Sequence, residues 1–395
     1  MADVPSRVTP QRIAAMTAGG WWKNETLEAY LDRWATERPT KPAIVDAMGR
    51  LTWQELARAA ERVAHGLAAA GIGPGDVVSC QLPNCNEWII LALATIELGA
   101  VLNPIPPTYR ANELRFILNA LEARALVVPA RFRNHDHAAM AVELRADTPS
   151  LRDVFVVRGS PGEGMRSFAW LTDTAWERRE GRRPLAGTDP NAVSEVVFTS
   201  GTTGEPKGVM HTANTALAIV YPLVERLGFS ERDVALMSST FGHQTGYLYG
   251  YCLTLLLGST GVWLDVWNAE EAARLIEAER VTYTMGATPF LQDLTYSPAV
   301  DQRDLASTIP TRKSSGPTAG RSPAWTSPWS ETTARSCRPR AKAICWCAAT
   351  RNSSGTGSAP SSRAMGIRPT GGSRPETVRC STPTATWRSR VASRT

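Results

Sequence analysis

The stretch Val196-Val197-Phe198-Thr199-Ser200-Gly201-Thr202-Thr203-Gly204-Glu205-Pro206-Lys207-Gly208-Val209-Met210-His211 decides how this chain is read. Its three leading apolar residues have the character of a buried strand. Hydroxyl side chains, glycines and a single lysine then crowd together. Gly201, Gly204 and Gly208 let the backbone curl until its N–H groups converge, and Thr199, Ser200, Thr202 and Thr203 can donate hydrogen bonds to phosphate oxygens. Lys207 adds a positive charge. A Walker A loop needs Gly-Lys-Ser/Thr, whereas Lys207 stands between Pro206 and Gly208, so a P-loop ATPase or kinase is disfavoured. The reading is an anion-gripping turn between a buried strand and a helix expected near residues 214–227.

Outward from this turn, the chain up to about residue 306 alternates helical periodicity with short runs of Val, Ile and Leu, the pattern of an α/β domain. Helices are expected at 53–70, 86–98, 112–123, 248–257 and 269–279. Strands are expected at 76–82, 126–129, 193–198, 234–238, 261–264 and 281–285. Two such series in succession predict two stacked β-sheets with covering helices. The opening residues lack a basic segment followed by an apolar run, and no apolar stretch is long enough to span a bilayer, so a cytoplasmic protein is expected.

The net charge of +6 would by itself suggest an anionic partner. Its distribution argues otherwise. Residues 308–395 hold 15 Lys and Arg against Glu331 and Glu376, while the first 307 residues hold 28 basic and 35 acidic side chains. The basic tail shows neither helical nor strand periodicity and offers no folded element to present its charge to nucleic acid. Cys80, Cys85, Cys252, Cys337, Cys345, Cys347 and Cys380 form no zinc-like spacing and are expected as free thiols.

Residues Thr199 to Gly208 resemble, at every specified position, the phosphate loop Thr-Ser-Gly-Thr-Thr-Gly-x-Pro-Lys-Gly of the adenylate-forming superfamily, which holds acyl-CoA synthetases, luciferases and peptide-synthetase adenylation domains. The resemblance extends over 82–87, 99–109 with Glu113, and 238–293. It implies ATP, Mg²⁺ and CoA, and β- and γ-phosphate contacts from Thr199, Ser200, Gly201, Thr202, Thr203, Gly204 and Lys207. It also implies an acyl pocket at Phe241, His243 and Gly246, within a Gly242–Gly246 run similar to ligases of alicyclic and short- to medium-chain acids. The implied fold is the amino-terminal subdomains of that family, two stacked mixed sheets with helices, truncated and followed by a largely disordered tail. The implied partner is a small carboxylic acid; an acyl-AMP ligase loading a carrier protein, or a remnant without catalysis, are the alternatives.

The family's adenine, Thr-Glu, ribose-Asp and hinge motifs, and its catalytic Lys, are missing from the tail, so no catalytic residue is assigned and the metal ligands are unknown. Joining the third base of each codon to the first two of the next fixes two bases of a shifted codon. Residues 341–350 then permit Glu-Gly-Asp-Leu-Leu-Val-Arg-Gly, 371–377 permit Trp-Phe-x-Thr-Gly-Asp, and 390–395 permit Gly-Arg-Lys-x-Asp. These strings, with similar ones at 317–325 and 380–387, follow family order. Residues 1–306 are therefore read as an incomplete AMP-binding domain and 307–395 as out-of-frame translation.

Overall fold

The computed structural model describes residues 8–179, 188–199 and 206–305, together with the backbone of 385–387. In chain order the strands begin with β1 (Pro42–Asp46), β2 (Gly49–Thr52), β3 (Val77–Cys80), β4 (Val101–Pro104) and β5 (Ala125–Pro129). Next come β6 (Arg131–Phe132), β7 (His135–Asp136), β8 (Asp153–Val157), β9 (Arg166–Ser167), β10 (Val193–Thr199) and β11 (Lys207–Thr212). The series closes with β12 (Val234–Met237), β13 (Thr260–Trp263), β14 (Tyr283–Thr284) and β15 (Ala385–Trp387).

Two mixed sheets result. One has the order β14-β12-β13-β1-β2 and the other β15-β11-β10-β4-β3-β5-β8-β9. Parallel pairing dominates both, as helical crossovers require. The helix Asn86–Glu97 is apolar nearly all round and ten of its residues are buried, which suits a helix enclosed within the core. One continuous core joins this helix to residues of both sheets, including Ile44 and Trp263 from one and Val78, Leu102 and Phe155 from the other. The helix Trp53–Ala69 has a single apolar stripe instead, and Thr52 with Glu55 closes a capping box at its start.

The helices and strands expected from periodicity are present with shifts of up to three residues at their ends; β4, β8 and helices such as Leu27–Glu37 and His137–Ala146 were not expected, and further features depart from expectation. The helix predicted at 248–257 is a π-helical turn, Tyr247–Cys252, continuing into the short helix Leu253–Leu257. The hairpin β1–β2, not singled out in the sequence, joins the smaller sheet beside β13, far away in the chain. The phosphate turn does not run from strand to helix: β11 intervenes and pairs antiparallel with β10. Within the tail, expected to be largely disordered, Ala385–Trp387 forms β15 on the outer edge of β11.

Candidate functional site

β10 and β11, the strands on either side of the expected phosphate turn, pair antiparallel with Thr199 opposite Lys207. Val196, Val197 and Phe198 are buried and anchor its incoming strand. On the outgoing strand, a Cβ at Gly208 would stand 3.3 Å from both the Phe198 ring and Val196, so glycine lets β11 lie close beneath β10. Thr212 then caps the helix Ala213–Leu227 by accepting the N–H of Thr215. Thr199 is exposed and Lys207 half-buried, at the two ends of the loop. Ser200, Gly201, Thr202, Thr203 and Gly204 lie outside the described residues.

The second part of the site is the loop that follows β12. Asn84, 3% exposed, holds it through the backbone. Its Nδ2 donates to Met237 O at 3.2 Å and to Ser239 O at 2.9 Å, and its Oδ1 accepts from Phe241 N at 3.0 Å. Gly242 presses on the backbone of Ile105 and Pro106, where a Cβ would meet Pro106 N at 2.5 Å. Gly246 turns back so tightly that a Cβ would lie 2.3 Å from Thr240 O.

The three residues expected around the acyl group occupy different surroundings. Phe241 has no exposed surface; its ring tilts on Trp88 at 4.7 Å and meets Trp263 edge-on at 5.0 Å. His243 is exposed, and its Nδ1 accepts from Thr245 N at 3.1 Å, capping the turn Gln244–Gly246. Gly246 is buried and supplies the close backbone approach. Of the three, His243 alone is exposed, while Phe241 is enclosed among the aromatic side chains of the core.

The two parts are joined by a contact that the sequence reading did not anticipate. Gln244, next to His243, donates from Nε2 to Glu195 Oε1 at 3.0 Å, and Glu195 lies on β10 four positions before Thr199. Glu195 is fully buried. Burial pushes its carboxyl up to about 8, against the lowering effect of the Gln244 hydrogen bond. A carboxylate within the apolar run 193–198 was the available signal for it, but sequence alone gave it no partner. On the far side of the larger sheet, the buried His137 faces Gln81 Oε1 through Nδ1 at 3.2 Å. Gln81 in turn donates to Pro106 O and Tyr109 O, supporting the segment on which Gly242 rests. Cys80, Cys85 and Cys252 are buried free thiols, as expected for those three.

With this geometry in view, the family description AMP-binding enzyme matches residues 31–346. The chain belongs to the AMP-binding enzyme family. It is 33% identical over 286 residues to the medium-chain fatty-acid–CoA ligase of Escherichia coli K12, a match covering 72% of this chain and 50% of that one. It is likewise 33% identical over 284 residues to the 2-hydroxy-7-methoxy-5-methyl-1-naphthoate–CoA ligase of Streptomyces carzinostaticus, covering 70% of this chain and 50% of that one. Among solved structures, apo MbtA of Mycobacterium smegmatis superposes with a TM-score of 0.66 at 28% identity, covering 73% of this chain and 53% of that one. The chain spans about half the length of the curated relatives it matches. Among the described residues, no helix is long and apolar enough to cross a membrane.

Proposed function

We propose that this site activates a carboxylic acid with ATP, as the amino-terminal part of an acid–CoA ligase. The observation that carries the reading is the Gln244–Glu195 hydrogen bond, which sets the acyl loop beside the strand entering the phosphate turn. Adenylation needs its two substrates held against each other in that way. A carboxylate is a poor electrophile, so one of its oxygens attacks the α-phosphorus of ATP, the bond to the bridging oxygen breaks, and pyrophosphate leaves. The CoA thiolate then attacks the acyl carbon and AMP departs.

In this proposal Thr199, Ser200, Gly201, Thr202, Thr203, Gly204 and Lys207 hold the phosphates, and Mg²⁺ enters as the counter-ion of the triphosphate. His243 and the Gly246 backbone border the acyl group, with Phe241 behind them. That the E. coli and Streptomyces relatives are named as CoA ligases supports CoA as the acceptor.

Turnover by this chain is proposed to be lost, because the segment after residue 306 is read as out of frame and carries none of the family's later motifs. Titration of the folded protein with ATP is expected to show binding that Lys207→Ala weakens by at least about tenfold, roughly 1.4 kcal/mol for a charge-assisted contact. Pyrophosphate release with a panel of carboxylic acids is expected to stay at background. A folded protein with no Lys207-dependent ATP affinity refutes the nucleotide reading. Sustained pyrophosphate release, or a shifted reading frame closed by stops after codon 308, refutes the loss.

A further inference from the structure

Glu195 and Gln244 share one hydrogen bond and one deficit. Glu195 Oε2 and Gln244 Oε1 are both buried and both lack a partner, although Gln244 Nε2 already donates to Glu195 Oε1. Buried polar atoms are rarely left unpaired, and two acceptors cannot satisfy each other. A single proton on Glu195 Oε2 removes both deficits, since it supplies the donor that Gln244 Oε1 lacks and closes a reciprocal acid–amide pair.

The surroundings favour that proton. Tyr247, Tyr251 and Cys252 from the π-helical turn are held neutral first of all by burial, so none of them offers Glu195 a compensating positive charge. From the neighbouring strands, His211 on β11 and Leu102 on β4 stand in register with Glu195. Burial favours the neutral form of His211. The buried residues of the helix Ala213–Leu227 carry no titratable group. Among the described residues, no Arg or Lys acts on this carboxyl, and an ionised Glu195 would be an uncompensated buried charge.

We propose that Glu195 is held as the neutral acid in a reciprocal pair with Gln244, and that this pair is the positioning element fixing the acyl loop to the phosphate-turn strand. The loop role rests on the adenylation reading above; the protonation state does not. Ionisation of Glu195 replaces the second bond with repulsion between its Oε2 and Gln244 Oε1, and the loop loses its tie at Gln244. The pair therefore acts as an alkaline limit on the site, while Glu195 touches neither substrate.

Glu195→Gln separates these statements, because a glutamine pair keeps both hydrogen bonds and cannot titrate. The infrared spectrum of the whole chain, taken as the difference from Glu195→Gln, should show the carbonyl stretch of a protonated carboxylic acid at pH 7 that disappears as Glu195 ionises near pH 8. Hydrogen-exchange protection of the 238–246 segment, corrected for the intrinsic rate, should fall about tenfold between pH 7 and pH 9 in the parent and stay level in Glu195→Gln. ATP affinity should follow the same two courses. Gln244→Leu should show weakened protection at every pH, and serves if Glu195→Gln misfolds. Absence of the infrared band at pH 7 overturns the neutral acid. A band accompanied by the same alkaline loss of protection in Glu195→Gln overturns the positioning role. Failure of ATP binding at all pH values strikes the adenylation reading and leaves the infrared and exchange results to decide the pair.

Discussion

Replacing Asn84 with alanine should loosen the acyl loop at a cost that can be worked out bond by bond. The substitution removes one acceptor and two donor contacts at once; Phe241 N and Ser239 O lose their partner, while Met237 O keeps the N–H of Leu264. Each buried backbone group so orphaned costs about 1–3 kcal/mol, and partial relaxation of the loop recovers some of that. For these two groups a loss of about 3 kcal/mol is expected, large against a typical domain stability of about 5–15 kcal/mol. Asn84→Asp keeps the acceptor for Phe241 N but points a carboxylate at two carbonyl oxygens, so it should be as damaging at neutral pH and recover on acidification, when a proton restores one donor. Urea unfolding followed by tryptophan fluorescence measures both, because Phe241 packs directly on Trp88 and Trp263. If Asn84→Ala costs less than about 1 kcal/mol with an unchanged m-value, water has replaced the side chain, and Asn84 is not what holds this loop.

Burial, with the nearby charges of His135 and Arg110, lowers the His137 imidazole to about 4. His137 therefore favours the fold above pH 6.5, and that contribution drains away as pH falls from 6.5 to 4, by about 3 kcal/mol at 1.36 kcal/mol per unit. Stability curves for the parent and His137→Asn should differ in slope within that window alone; parallel curves would refute it. Glu195 has the opposite sign, since its stabilising neutral form is lost as pH rises from about 4.5 toward 8, so Glu195→Gln should flatten the alkaline side. Gly246→Ala should destabilise the chain by about 2–3 kcal/mol, because the new methyl meets the backbone oxygens of Thr240 and Ser239, which cannot move aside as a flexible side chain would. An unchanged melting temperature for Gly246→Ala would show that the loop lies differently.

Much of this architecture was legible because local physics wrote it. The helix Trp53–Ala69 announces itself by a capping box and one apolar stripe, and the helix Asn86–Glu97 by its apolar surface on every side. The strand entering the proposed phosphate turn was legible for the same reason, since Val196, Val197 and Phe198 are adjacent in the chain. β11 was missed because Lys207-Gly208-Val209-Met210-His211-Thr212 alternates weakly, and Gly208 depresses strand propensity. What makes it a strand is the edge of β10 waiting to be paired. The π-helical turn at Tyr247–Cys252 likewise shares its residue pattern with an ordinary helix.

The sequence by itself determined the family and the α/β class, because those properties depend on neighbours within a few positions. Only the tertiary structure could decide that Asn84 serves a loop more than 150 residues away, that Phe241 has no exposed surface, and that Glu195 meets Gln244. Such contacts arise where separate strands and loops converge at one place between two sheets. A buried carboxyl acquires its partner, its protonation and its role from that convergence, which no local stretch of sequence encodes.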